Sequence, residues 1–206
     1  GKSSSTVQFF KSVDFIQSSV TDQTEHLITN NGFSQIECRN LSYTYPGSTS
    51  SQLQEVSFSI SKGSYVAITG PSGAGKTTLM QILLGYDTPS EGEVLIEGLP
   101  PRVFIRRNPG QIGYVPQEVS IMNGTLLENI LLGEEETPEK RALCEELLKK
   151  VKLNDYATNL EVGEDQNLTH FGQEMSGGQK QRLGIVRALL TKPSIIFLDE
   201  ATSALD

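Results

Sequence analysis

The chain has 206 residues, 36% hydrophobic and 20% charged, enough for one sizeable core with a smaller lobe attached. Its formal net charge of −8 disfavours nucleic acid as the main partner, since a protein that lives on DNA or RNA presents a basic face. No apolar run approaches the ~18 residues that cross a bilayer, and Cys38 and Cys144 lie too far apart for metal-ligand spacing, which fits small core thiols in a reduced compartment.

Residues 1–32 read as a lead-in. Phe9, Val13, Ile16 and Val20 recur at i, i+4, i+7 and i+11, one stripe of a helix. That helix either packs on this domain or is the tail of one arriving from a partner domain. "TDQTEHLITNNG" then reads as a linker. From Phe33 to Ser61 the period falls to two. Ile36 and Cys38, then Leu41, Tyr43 and Tyr45, then Val56, Phe58 and Ile60 alternate as half-buried strands, with "YPGSTSSQ" as a loop. "YVAIT" (65–69) reads as a short buried strand, and "TTLMQILL" as a helix ended by Gly85. "GEVLIEG" (92–98) and "QIGYV" (111–115) are two more strands, the second leading to Pro116. Thr137 is placed as an N-cap with Pro138 at the first helical position, and Leu143, Leu147, Leu148 and Val151 form the buried stripe that follows. Leu183, Val186, Leu189 and Leu190 mark a further helix after "SGGQ", and "SIIFL" (194–198) is an apolar strand ending in Asp199 and Glu200. Strands alternating with helices predict an α/β sheet with a helical insertion.

The chemistry begins at Gly70. Gly70-Pro71-Ser72-Gly73-Ala74-Gly75-Lys76-Thr77 fits G-x-x-x-x-G-K-[ST] between a predicted strand and a predicted helix. Glycines let the backbone curl and bring its N–H groups onto a polyphosphate, and the helix N-terminus adds partial positive charge. Lys76 is expected to reach the β- and γ-phosphates, Thr77 to ligate Mg²⁺ and Thr78 to bond near the α-phosphate. A phosphate cradle only binds; hydrolysis needs a metal anchor and a group that orients water. Asp199, at the carboxyl end of a buried strand, suits the first task, and Glu200 beside it suits the second as a general base.

Two further stretches, "MSGGQKQR" (175–182) and "LDEATSALD" (198–206), complete a pattern that resembles the ATP-binding-cassette family of transporters. The resemblance covers about residues 33–206. It implies an α/β fold, a P-loop NTPase (RecA-like) core sheet with an antiparallel β subdomain and a helical subdomain near 118–185. It implies that Gly70, Ser72, Gly73, Ala74, Gly75, Lys76, Thr77 and Thr78 hold ATP and that Tyr45, in "SYTYPG", stacks on adenine. Gln117, in "YVPQE", matches the glutamine loop and joins Thr77 and Asp199 around Mg²⁺. Lys76, Gln117 and Glu200 are the expected catalytic set. Ser176, Gly177, Gly178 and Gln179 match the signature that closes over ATP held by a second cassette, and Ser203 to Asp206 match the loop linking the two sites. Tyr45 as an ordinary core or turn tyrosine and Gln117 as a plain surface residue remain the rival readings.

Ser-Gly-Gly at a helix start is also a second anion receptor in its own right. If two receptors cannot reach one ATP, each serves a different nucleotide, and a head-to-tail dimer with two sandwiched ATPs follows. "IMNGTLLENILLG" (121–133) looks like the exporter branch, in which G-T-x-x-E-N-I follows the glutamine loop. The expected partners are a second nucleotide-binding domain, identical or not, and a transmembrane domain of the same polypeptide; no nucleic acid is expected. The expected location is the cytoplasmic face of a membrane. Three residues depart from the pattern: Glu161 for proline, Met175 for the signature leucine, and His170 for a glutamate that contacts coupling helices. The family's switch histidine is also missing, since His26 and His170 lie upstream of its place. The chain therefore reads as a cassette cut short at its carboxyl side, whose central sheet lacks a strand and which by itself hydrolyses ATP weakly. The competing functions are a soluble cassette ATPase and a non-hydrolysing ATP-dependent dimerisation switch.

Overall fold

The computed structural model describes residues 8–10, 35–161 and 175–199, which fall into two compact units. In chain order the first unit contains strands β1 (Gln8–Phe10), β2 (Gln35–Tyr43), β3 (Leu53–Ser61) and β4 (Ala67–Thr69), helix α1 (Lys76–Leu83), strand β5 (Glu91–Ile96) and helix α2 (Pro101–Arg107).

Strand β2 lies between β3 and β5 and is antiparallel to both, which is the antiparallel β subdomain expected from the sequence. Ile36, Cys38, Leu41 and Tyr43 are its buried face. The step from Cys38 to Leu41 is three residues instead of two, yet both point inward. An irregularity at that point takes up the extra residue: the register shifts there, and Asn40 adopts a φ of 48°. Val56, Phe58 and Ile60 of β3 are half-buried, as their alternation predicts. Helix α1 buries Thr78, Leu79, Ile82 and Leu83 and stops at Gly85, where Gly85 N–H donates to Ile82 O (3.0 Å) and Tyr86 N–H to Gln81 O (2.9 Å). These two bonds are the Schellman ending that satisfies the last carbonyls of a helix.

The helical stripe expected through Phe9 does not form there. Gln8–Phe10 is a strand, paired antiparallel with Ala67–Thr69 and with Phe9 opposite Ile68. Three-residue β4 carries backbone donors and acceptors that need ladder partners, and a short strand supplies them. Val13, Ile16 and Val20 lie outside the described residues.

The second unit contains strand β6 (Ile112–Val115), helices α3 (Leu126–Leu131), α4 (Pro138–Lys150), α5 (Asn154–Glu161) and α6 (Gly177–Leu189), and strand β7 (Ile195–Leu198). Strands β6 and β7 are parallel, in register from Ile112 opposite Ile195 to Val115 opposite Leu198. Helix α4 starts as its sequence predicts: the Thr137 side chain accepts from Lys140 N–H, and Pro138 occupies the first turn. The helices share one apolar core, in which Leu126, Leu127, Ile130, Leu147, Leu148 and Leu183 are almost fully buried. Each such side chain contributes about 1.5–3 kcal/mol relative to exposure. Leu143, Val151, Leu189 and Leu190 pack at the margin of this core. Among the described residues no helix is long and apolar enough to cross a membrane.

Candidate nucleotide site

The phosphate loop leaves β4 at Thr69 and enters α1 at Lys76. Gly70, Ser72 and Gly73 are exposed, Ala74 is half-buried, and Gly75 is buried. Gly75 occupies the N-cap in the left-handed region (φ 89°, ψ 13°), with no side chain capping the helix. A larger residue there is doubly excluded, because its β-carbon would lie 2.6 Å from Leu53 Cδ2 and 3.0 Å from Gln52 O. A helix start without a side-chain cap keeps its first N–H groups available to an anion.

Lys76 follows at once. Its ammonium donates to Gly70 O (2.8 Å) and Pro71 O (2.9 Å), so the side chain folds back across its own loop. These are neutral carbonyls, which the oxygens of a polyphosphate outcompete as partners for an ammonium group. Thr77 is exposed on the first turn, where its hydroxyl can meet a metal ion. Thr78 is buried, and its Oγ1 lies 2.8 Å from the Tyr45 hydroxyl. Tyr45 is 41% exposed and stands edge-on to Tyr43, ring centroids 5.0 Å apart at 87°. The aromatic expected to meet adenine is thus tied to the residue expected to meet the α-phosphate.

The second unit carries the other candidates. Gln117 follows β6 and Asp199 follows β7, so both leave the same end of two parallel neighbouring strands. Asp199 N–H donates to Val115 O (3.0 Å) and Tyr114 Oη to Asp199 Oδ2 (3.4 Å), which fixes the carboxylate at the strand end. Gln181 of α6 donates to Pro116 O (3.4 Å), tying the start of the Gln117 segment to that helix.

Ser176 caps α6 in a reciprocal box: its hydroxyl accepts from Gln179 N–H (3.2 Å), and Gln179 Oε1 accepts from Ser176 N–H (2.8 Å). Gly177 is exposed beside it and Gly178 half-buried, so bare backbone stands at the helix start. Gln179 therefore serves the cap, while the Ser176 hydroxyl keeps its own proton to donate. Met175 is buried in the core of the helical unit, so its place asks for an apolar side chain, which methionine satisfies as leucine does. Glu200, the loop Ser203–Asp206, His26 and His170 lie outside the described residues, and nothing is described of the Glu161 side chain.

Two features carried no motif. Gln52 donates from Nε2 to Gly73 O (2.7 Å), and Arg187 binds backbone oxygens of Asn129 within α3 and of Ser120 ahead of it. Both depend on contacts between residues far apart in sequence, which no local pattern announces.

The family model described as "ABC transporter" matches residues 53–203. The chain is 41% identical over 173 residues to a probable multidrug resistance ABC transporter ATP-binding/permease protein, YheI, of Bacillus subtilis, covering 81% of this chain and 28% of that protein. It is 39% identical over 181 residues to the colicin V secretion/processing ATP-binding protein CvaB of Escherichia coli, covering 87% of this chain and 26% of the other. A solved structure of a bacterial Atm1-family ABC exporter with ATP bound superposes with a TM-score of 0.71 at 34% identity, over 85% of this chain and 30% of that one. The chain thus spans between a quarter and a third of the length of these relatives. With a phosphate loop at the head of α1, a capped signature helix in α6 and this similarity across most of its length, the chain belongs to the ABC transporter family and is an ATP-binding ATPase domain of it.

Proposed function

We propose that this domain powers export across a membrane by a cycle of ATP-driven closure and hydrolytic release. The observation that carries the reading is the presence on one chain of two helix starts whose backbone N–H groups suit an anion. One is the uncapped start of α1 behind Gly75 and Lys76; the other is the Ser176–Gly178 start of α6. Under this reading Gly70 to Thr78 hold the phosphates of one ATP, and Tyr45 stacks on its base. Ser176, Gly177 and Gly178, with Gln179 setting the cap, close over the ATP of a second copy or a related domain.

Thr77, Gln117 and Asp199 are proposed to hold Mg²⁺. Hydroxyl, amide carbonyl and carboxylate are all hard oxygen donors, the type Mg²⁺ selects. When bound, the ion would neutralise phosphate charge during transfer to water. Glu200 is proposed to orient and deprotonate that water, and Lys76 to stabilise the transferring phosphoryl group. Residues 33–206 form the ATPase domain in this proposal and residues 1–32 lead into it from a transmembrane domain of the same polypeptide. The domain then works at the cytoplasmic face of the membrane. The relatives' names support the exporter branch, since two of them describe multidrug resistance and secretion proteins.

The test is ATP-dependent efflux and ATPase activity of the full-length protein in proteoliposomes, with Lys76→Ala as the comparison. The proposal expects the variant to lose both together. Transport that persists without ATP, or wild-type hydrolysis by Lys76→Ala, overturns it.

A further inference from the structure

Gln52 is named by no motif, yet it touches the phosphate loop in two ways. Its side chain donates from Nε2 to Gly73 O (2.7 Å). Its own carbonyl oxygen lies where a β-carbon on Gly75 would come within 3.0 Å. The residue is itself firmly held. It immediately precedes β3, its N–H donates to Tyr43 O (2.7 Å) at the end of β2, and its neighbour Leu53 is buried against Gly75.

The consequence follows from the planarity of the peptide. The unit joining Gly73 to Ala74 is one rigid plate, with its carbonyl and its N–H on opposite edges. Gln52 grips the carbonyl edge, and the Ala74 N–H on the other edge donates to Pro71 O (3.2 Å). Gly73 sits in the left-handed region at φ 79°, with nothing within 4 Å of where a β-carbon would be. A glycine with so much freedom needs an external hold to keep one conformation. The Gln52 amide is such a hold, mounted on two paired strands.

We propose that Gln52 is a positioning residue for the phosphates of ATP: by fixing the Gly73–Ala74 peptide it pre-shapes the loop that grips them. The inference rests on the assignment of ATP to this loop. It also adds to it, since Tyr45 and Gln52 stand at the two ends of the β2–β3 connection and each is hydrogen-bonded to the phosphate-loop segment. That connection then links the base end of the site to the phosphate end.

The experiment measures the affinity of the full-length protein for ATP and for inorganic tripolyphosphate, with melting temperature recorded alongside. Gln52→Met keeps the shape and removes the donor; Gln52→Glu keeps the size and sets an acceptor against the Gly73 carbonyl. A single hydrogen bond of ordinary strength predicts a loss of about three- to tenfold for Gln52→Met, equal for both ligands, with the melting temperature lowered by no more than about 5 °C. Gln52→Glu is expected to lose more. Wild-type affinity in either folded variant overturns the inference, as does a loss for ATP with none for tripolyphosphate. Failure of the unaltered protein to bind either ligand would instead overturn the ATP assignment itself.

Discussion

Arg187 on α6 closes around Asn129 of α3: its guanidinium donates to Asn129 O (2.6 Å) and Asn129 Oδ1 (3.2 Å), and also to Ser120 O (2.8 Å). Asn129 is fully buried and uses both ends of its amide. It donates to Met122 O (3.0 Å) and Thr125 O (2.9 Å) and accepts from Met122 N–H (2.8 Å). The pair therefore pins residues 120–129, which overlap the exporter-like stretch 121–133, to the helix that begins after Ser176. Burial holds the Arg187 pKa below its ordinary value, since neutral oxygens compensate the desolvated charge only in part.

Asn129→Ala removes at once the side-chain partner of the Met122 N–H, the Met122 and Thr125 carbonyls and the Arg187 guanidinium. With about 0.5–1.5 kcal/mol net for each of these four hydrogen bonds, the expected loss is about 2–6 kcal/mol of stability. Asn129→Asp is expected to fare little better. Its carboxylate can meet Arg187, but it turns acceptors towards the carbonyls of Met122 and Thr125. Urea denaturation of the two variants, compared at equal slope, checks this.

Tyr45 has two separable parts. Tyr45→Phe keeps the ring and drops the bond to Thr78, so ATP affinity should fall by no more than about tenfold, the range of one hydrogen bond. Tyr45→Ala removes the stacking face as well, and aromatic stacking on a base is worth about 1–3 kcal/mol. Its loss should be larger and should spare tripolyphosphate. Titration of both ligands into both variants separates the two contributions.

Gly75→Ala should abolish ATP binding before it abolishes folding. The added methyl meets Leu53 and the Gln52 carbonyl, and the φ of 89° is strained for any residue with a β-carbon. Relief requires the loop to open away from β3, which moves the first N–H groups of α1. Isothermal titration with ATP, alongside circular dichroism, reads both effects.

The cysteines give a signed pH dependence. Burial, the larger influence, pushes Cys38 up to about 12 and Cys144 up to about 11, both from 9.0. The folded chain thus keeps its thiol protons to higher pH than the unfolded chain. Stability from these groups is full below about pH 8.5 and falls as pH rises through 9 towards 11 and 12. Native protein at pH 8 should leave both thiols unmodified by a disulfide reagent, and urea should expose two per chain.

Much of this was legible in the sequence because the information was local. The Thr137–Pro138 start, the Gly85 stop and the loop from Gly70 to Thr77 each depend on a few consecutive residues with fixed conformational demands. The alternation of Ile36 with Cys38 and of Leu41 with Tyr43 was legible, but the three-residue step between the two pairs is explained only by the register shift and the positive φ at Asn40. Helices α2, α3 and α5 went unread, since six to eight residues give too few turns for a helical period to stand out. The strand at Gln8–Phe10 was misread because four apolar residues at helical spacing outweighed the demand of β4 for a partner. Gln52 and Arg187 were invisible for a different reason: each acts through backbone oxygens elsewhere in the chain, and any residue type supplies those.

The central claim is that Glu200 readies water against an ATP gripped by Lys76 and its loop. The most direct test is single-turnover hydrolysis of ATP by the full-length protein carrying Glu200→Gln. The account predicts that the variant binds ATP, keeps it uncleaved and holds two nucleotide-binding domains together. Cleavage at the rate of the unaltered protein would contradict it.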